Sequence, residues 1–340
     1  MKKGIYSIAR EANVSVTTVS RVLNGRDGVG DETRKKISEI INKTSFVPKI
    51  SRNEFDNVGL FLGTASISIN YIAEFSPYVM NIIAGLTSVL YDNNYNILLT
   101  PIFKVPKNRD EFNIYCYKRN ICAAVFLNLK LTDNFLPDIC EVIPIVSIGT
   151  KFDNDKLIYV KSNNKLGAKE AVSYLIGMGH KHIAFILPDY LHQDHIERLE
   201  GYKEALQENN IEFDKNNVIE YTKKSDSEMR YVLENLILER DDKVTALFVC
   251  DDSEVVRLMS LLDAINVSVP DDVSIVGFDD YEYSEHFLPP LTTVRQPIFD
   301  LGRMAAVSLV DTLTGKRKCW SDNILLDTRL VVRKSVKRIN

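Results

Sequence analysis

The apolar residues of the first 50 positions recur three or four residues apart, which is the spacing of one face of an α-helix. They form three groups: Ile5, Ile8, Ala9 and Ala12, then Val19, Val22 and Leu23, then Ile37, Ile40 and Ile41. Asn13 tolerates a left-handed turn after the first group, and Ser15 is a favourable N-cap for the second helix. The second helix should stop at Asn24-Gly25, and a third should start near Asp31. This pattern predicts a helix-turn-helix unit.

From Val58 onward, short apolar runs alternate with amphipathic helical patterns. The runs are VGLFLG, YNILLTPI, AAVFLNL, IPIVSIG, HIAFILP, VIEYT, ALFVC and VSIVGF. A βαβα alternation predicts parallel sheets covered by helices. About ten strand candidates are many for one sheet. We therefore expect two doubly wound subdomains, with a ligand cleft between them at the carboxyl ends of the strands.

Charge is distributed unevenly along the 340 residues, whose net charge is -4. Residues 1–52 contain eleven Lys and Arg against five Asp and Glu, so this head carries +6 and the remainder carries -10. A basic head on an acidic body indicates that only the head has a polyanionic partner.

The cysteines and the apolar runs indicate the cellular compartment. Five scattered cysteines form no CxxC pair, which favours free thiols in a reducing environment. The N-terminus lacks a continuous apolar stretch of the signal-peptide type, and no apolar run approaches the roughly 18 residues that span a bilayer. We expect a cytoplasmic protein with no membrane partner.

The second helix has a polar face that neither a core helix nor a solvated helix explains. With its apolar stripe turned inward, the opposite face carries Val16, Thr17, Ser20, Arg21 and Asn24. Small hydroxyl side chains permit close approach to a major groove, and an arginine can bond a guanine through two hydrogen bonds. With the basic head, this face predicts DNA binding. The alternative is a small-molecule-binding protein whose head docks a protein partner instead.

The stretch YSIAREANVSVTTVSRVLNG, followed by VGDETRKKI, resembles the headpiece of the lactose/galactose-repressor family of bacterial transcription regulators. RLEGYKEAL, VTALFVCDDSE and VPDDVSIVGFDDYEYSEHFLPPLTTVRQPIFDLGRMA are similar to further signatures of that family, in the same order, so the resemblance covers essentially the whole chain. It implies an all-α helix-turn-helix headpiece and an α/β regulatory body of the type I periplasmic-binding-protein kind, made of two doubly wound parallel-sheet subdomains. It further implies a homodimer or tetramer that reads two half-sites of operator DNA.

The resemblance also implies domain boundaries. The headpiece should span 1–46, a short hinge 47–57 and the effector-binding and dimerisation domain 58–340. Chain crossings near 160, 290 and 320 would divide the body into an N-subdomain of about 58–159 and 290–319 and a C-subdomain of about 160–289 and 320–340.

Candidate binding residues follow from the same comparison. Those for DNA are Tyr6, Ser15, Val16, Thr17, Thr18, Ser20, Arg21, Asn24 and Thr33. Those for the effector are Tyr78, Ser162, Arg198, Asp251 and Asp279. Arg198 matches a ligand-binding arginine, although it could instead pair with Glu197 or Glu200 on a surface helix. Asp252 is the expected cap of a helix that starts at Ser253.

Three departures from the family pattern stand out. The hinge sequence VPKISRNEFDNVG is short, and Glu54 lies where relatives carry a leucine that wedges into the minor groove. Gly149 replaces an acid at a strand end, and Ser162-Asn163 replaces Asp-Asn. Two polar effector contacts are therefore changed.

Catalytic and metal sites are not expected. No G-x-S-x-G elbow or P-loop is present, and His192, Asp194 and His195 fit no standard metal-ligand spacing. We expect a non-enzymatic repressor of a carbohydrate-utilisation operon without cofactor, controlled by a small sugar or glycoside.

Overall fold

The computed structural model describes residues 5–23, 28–44, 56–63, 77–152, 154, 156–316 and 322–339. The side chains of residues 23 and 42–44 are outside this description, as are Asn24, Gly25, Cys319 and the predicted hinge up to residue 55. The four described cysteines, Cys116, Cys122, Cys140 and Cys250, are buried free thiols.

The head contains three helices, α1 (Ile5–Ala12), α2 (Val16–Leu23) and α3 (Asp31–Thr44). Their shared core consists of Ile8, Ala9, Ala12, Val19, Ile37 and Ile40. Asn13 adopts a φ of 55°, and the Ser15 hydroxyl accepts a hydrogen bond of 3.0 Å from the Thr18 backbone N–H. The predicted left-handed turn and N-cap are therefore confirmed.

The body contains two parallel-type sheets covered by helices, which confirms the predicted fold class. The described strands are β1 (Asn57–Leu62), β2 (Asn96–Pro101), β3 (Ile121–Leu127), β4 (Ile145–Ile148), β5 (Ile158–Ser162), β6 (Ile183–Leu187), β7 (Val218–Glu220), β8 (Ala246–Val249), β9 (Ser274–Asp279), β10 (Thr292–Arg295), β11 (Asp322–Leu326) and β12 (Arg329–Val331). The described helices of the body are α4 (Pro77–Leu90), α5 (Arg109–Lys118), α6 (Leu136–Ile139), α7 (Asn164–Gly177), α8 (Gln193–Glu208), α9 (Asp226–Glu234), α10 (Asp252–Asp263) and α11 (Ile298–Leu313).

Each sheet belongs to one subdomain. The first has the strand order β11-β5-β4-β3-β1-β2, and all its described pairs are parallel. The second has the order β12-β10-β9-β8-β6-β7, with only β12 antiparallel among the described pairs. Strands buried on both faces, such as β3 with no exposed residue, explain the continuous apolar runs.

The chain passes between the subdomains at positions that correct two predicted boundaries. It crosses between β5 and α7, between β10 and α11, and between β11 and β12. β10 pairs with β9 and so lies in the C-subdomain, whereas the boundary near 290 assigned it to the N-subdomain. β11 pairs with β5 in the N-subdomain, although the boundary near 320 assigned it to the C-subdomain. Neither strand contains a long apolar run: β10 has the sequence TTVR, and β11 is an edge strand whose apolar residues are limited to Ile324, Leu325 and Leu326.

Helices α7 and α8 pack unusually closely, and this contact positions the cleft side chains. A Cβ atom at Gly201 would lie 2.2 Å from the backbone oxygen of Lys165, so only glycine permits this approach.

Among the described helices, none combines the length and apolarity that a membrane-spanning segment requires.

Candidate functional site

The polar face of α2 is accessible on the head. Thr17 and Arg21 are exposed, and Ser20 is half-buried. Val16 is also half-buried and packs against the head core. The hydroxyls of Ser15 and Thr18 lie 2.8 Å apart and share a hydrogen bond at the cap.

The remaining candidates for DNA contact lie on the other elements of the head. Tyr6 on α1 is 77% exposed, and Thr33 on α3 is half-buried. Asn24 lies outside the described residues. The described part of the head thus presents one tyrosine, small hydroxyls and one arginine around the start and open face of α2.

A cavity of about 230 Å³ lies between the two subdomains at the carboxyl ends of their strands. Four of the five predicted effector residues line it: Tyr78, Arg198, Asp251 and Asp279. Ser162 does not line the cavity, which corrects its assignment. It is only 2% exposed at the end of β5, and its Oγ atom has no hydrogen-bond partner among the described residues.

Arg198 is buried in the floor of the cleft, with 5% of its surface exposed. Its Nε donates to Oδ1 of Asn164 at 2.9 Å, and its Nη1 donates to the Cys250 backbone oxygen. Its Nη2 lies 3.6 Å from Oδ1 of Asp279, and the guanidinium stacks 3.8 Å from the centre of the Phe278 ring. The guanidinium is therefore held in one orientation by its own subdomain.

The alternative of a surface ion pair for Arg198 is wrong. Glu197 instead pairs with Lys161 of β5, and Glu200 is exposed. A buried arginine in contact with a carboxylate, at the bottom of a cavity, is the arrangement expected of a polar ligand site.

Asp279 lies at the end of β9, where its backbone adopts a φ of 118°. Such a conformation costs about 1–3 kcal/mol in a non-glycine residue and persists only where the surroundings impose it. Here the Gln296 amide donates to the carboxylate, and Asp280 N–H donates to Asp252 at 3.0 Å. Burial, reinforced by the negative charge of Asp251, raises the pKa of Asp279 well above its usual value.

Asp251, a predicted effector residue, also takes the helix-capping role that the sequence assigned to Asp252. Asp251 is the N-cap of α10, and it accepts a hydrogen bond of 2.6 Å from Ser253 N–H while it lines the cleft. Asp252 is fully buried and accepts hydrogen bonds from Ser284 and Thr293 hydroxyls. The prediction that Asp252 caps the helix is wrong because α10 begins one residue earlier than expected.

Asp194 lines the cleft, although its sequence context suggested only a metal ligand. Asn164 donates to its Oδ1 at 2.9 Å, and burial raises the pKa of Asp194 to about 6. A Cβ atom at Gly149 would lie 3.0 Å from its Oδ2, so the carboxylate occupies the space in front of this glycine. An acid from α8 thus lies beside the strand end where the family resemblance places an acid on β4.

Tyr78, near the start of α4, contributes the aromatic wall of the cleft. It is half-buried and also packs against the core of the first subdomain. Burial and the nearby charges of Asp194 and Asp279 raise its pKa, so the phenol remains protonated and can donate a hydrogen bond.

Direct hydrogen bonds connect the two subdomains across the mouth of the cleft. Leu131 N–H donates to the Leu191 backbone oxygen at 2.9 Å, and Lys151 N–H donates to Oε1 of Gln193 at 2.7 Å. We call residues 189–193, which precede and begin α8, the latch segment. Its contacts bring residues of the C-subdomain against the N-subdomain at the cleft mouth.

The comparisons with known proteins match both parts of the chain. A family model described as bacterial regulatory proteins of the lacI family matches residues 4–49, and one described as a periplasmic binding protein-like domain matches residues 172–336. The chain is 29% identical to a probable HTH-type transcriptional repressor, ExuR, of Bacillus subtilis (strain 168), over 98% of each chain. It is 29% identical to catabolite control protein A of Priestia megaterium, over 99% of this chain and 100% of the relative.

A solved structure of similar architecture supports the same comparison. The transcriptional regulator CelR in complex with cellobiose aligns with a TM-score of 0.71 at 29% identity, covering 97% of this chain and 99% of the other. Similarity to regulators thus extends over the head and both subdomains, and the relatives named here are regulators rather than enzymes.

Proposed function

We propose that the chain is a DNA-binding transcription repressor of the LacI family of bacterial regulatory proteins, and that it represses a carbohydrate-utilisation operon under the control of a sugar or glycoside bound in the cleft. The observation that carries this proposal is the convergence of Arg198, Asp251 and Asp279 with an aromatic wall in one interdomain cavity. Paired hydroxyls bond well to fixed carboxylates, and a sugar face stacks on an aromatic ring. CelR supports the ligand class because its solved complex contains cellobiose.

Cavity size and charge narrow the ligand class. A volume of about 230 Å³ is smaller than the roughly 300–1,000 Å³ of pockets for drug-sized ligands, which favours a monosaccharide. Nε and Nη1 of Arg198 already donate to the protein, and its Nη2 lies beside Asp279. A carboxylate on the ligand would compete with Asp279 for this guanidinium, so a neutral or amino sugar fits better than a uronic acid.

The DNA side of the proposal rests on the open face of α2. Thr17 and Arg21 project from the helix that follows the turn, which is the element that enters the major groove in helix-turn-helix proteins. Two heads in a homodimer or tetramer would read the two half-sites of a near-palindromic operator. The ligand would act by favouring one placement of the subdomains, by no more than its differential affinity for the two placements.

The test separates ligand class from DNA binding. Thermal shift and calorimetry with neutral, amino and acidic monosaccharides should identify a neutral or amino sugar, and Asp279→Asn should lose that binding. An exposed acid on another surface, Asp271→Asn, is the matched control. Preference for uronic acids would refute the ligand class.

Salt-dependent binding to genomic duplexes tests the head independently, since counterion release makes such binding steeply sensitive to ionic strength. Absence of any duplex binding would instead favour a head that docks a protein partner.

A further inference from the structure

The latch segment and the first turn of α8 contain two histidines and one aspartate that are not among the predicted effector residues. Asp189 follows β6, His192 is the N-cap residue of α8, and His195 lies in its first turn. Nδ1 of His192 lies 3.1 Å from Oδ1 of Asp189, and Nδ1 of His195 lies 3.3 Å from the same oxygen. The sequence placed Asp194 with these histidines, but Asp194 is bonded to Asn164.

We infer that Asp189, His192 and His195 form a binding site for a divalent transition-metal ion, Zn²⁺ or Co²⁺, at the edge of the cleft. Imidazole nitrogens and one carboxylate oxygen are the donor set that these ions prefer. One donor atom from each residue lies within 4.8 Å of the other two. The group therefore needs little rearrangement to surround one ion.

The two separations between imidazole and carboxylate match those between ligands of one ion. Bonds of about 2.0–2.1 Å to atoms 3.1 Å and 3.3 Å apart meet at roughly 95–110°, close to the tetrahedral angle. An ion would replace the two imidazole-to-carboxylate hydrogen bonds. Each neutral imidazole would move its proton from Nδ1 to Nε2 and offer the Nδ1 lone pair, so no proton is gained or lost.

An ion at this site would keep open coordination positions towards the cavity and would affect the segment that bridges the subdomains. His192 and His195 both line the cleft, so an ion between them would face the cavity rather than the protein core. The backbone N–H of Leu191 donates to Oδ1 of Asp189 at 2.8 Å, and the Leu191 carbonyl receives the bond from Leu131 across the cleft. An ion on Asp189 would therefore stiffen the segment that bridges the subdomains.

The experiment is a metal titration of the full chain without a histidine tag, treated with chelator and desalted. Calorimetry with ZnCl₂ and the visible absorption of added CoCl₂ should show saturable binding of one ion per chain. Asp189→Asn, His192→Asn and His195→Asn should each weaken binding more than about tenfold, which is 1.4 kcal/mol. His182→Ala and His286→Ala, at exposed histidines outside the cluster, should bind as the unchanged protein does.

Absence of saturable binding would overturn the inference, and so would unchanged affinity in His192→Asn/His195→Asn. Circular dichroism of each variant verifies that a loss of binding is not a loss of fold. The titration requires neither DNA nor sugar, so its failure leaves the proposed regulatory function intact.

Discussion

Replacement of Arg198 by methionine tests whether the cleft is built around this guanidinium. Methionine keeps most of the apolar volume of the side chain but removes its bonds to Asn164 and to the Cys250 backbone oxygen. Hydrogen bonds from a charged donor contribute about 1.5–3 kcal/mol each. Asp279, whose Oδ1 lies 3.6 Å from Nη2 of Arg198, would also lose this neighbour. From the two lost hydrogen bonds alone, we expect the free energy of unfolding to fall by about 3–6 kcal/mol.

The assay is urea unfolding followed by circular dichroism, with Arg303→Met as the matched control. Arg303 lies on α11, is 44% exposed and pairs with Asp300 at 2.8 Å. Such an exposed pair contributes no more than about 0.5 kcal/mol, so the control should unfold nearly as the unchanged protein does. If Arg198→Met destabilised the chain by no more than Arg303→Met, the assignment of Arg198 as a buried anchor of the cleft would be wrong.

Three further predictions concern pH, helix packing and DNA. Burial raises the pKa of Asp194 to about 6 in the folded state, so the folded chain binds this proton more tightly than the unfolded chain does. The free energy of unfolding should therefore fall as pH rises from the usual aspartate range towards 6. Asp194→Asn should flatten that decline in urea titrations at several pH values. Gly201→Ala would place a Cβ atom 2.2 Å from a backbone oxygen and should lower the free energy of unfolding by about 1–3 kcal/mol. Gly177, which has open space around it, provides the control: Gly177→Ala should leave the melting temperature unchanged or raise it. Arg21→Ala should weaken operator binding and relax discrimination at one base pair by about 1–3 kcal/mol. Lys36→Ala on α3 should instead weaken binding to all DNA sequences alike. If both variants discriminated between operator sequences equally well in gel shifts, Arg21 would not be a base-reading residue.

The parts of the structure that the sequence predicts well depend on local sequence patterns. Asn13 and Ser15 define the turn of the head because left-handed φ and N-cap hydrogen bonds are properties of single residues. Arg198 and Asp279 were identified through the resemblance of their motifs, and both line the cleft. These features depend on few distant contacts.

The parts of the structure that the sequence does not predict depend on contacts between distant segments of the chain. β10 and β11 were assigned to the wrong subdomains because pairing with β9 and β5, rather than hydrophobicity, determines where they lie. Asp194 enters the cleft because Gly149, from the other subdomain, leaves space for its carboxylate. Such a complementary pair is visible only once both subdomains are assembled.

The central claim is that a ligand in the cleft controls operator binding by the head. Its most direct test is fluorescence anisotropy on an operator selected from genomic fragments, measured with and without the sugar that calorimetry identifies. We predict preferential, salt-sensitive binding whose affinity changes with the sugar in the unchanged chain, while Asp279→Asn binds the operator but no longer responds. A sugar that saturates the cleft and leaves operator affinity unchanged would contradict the account.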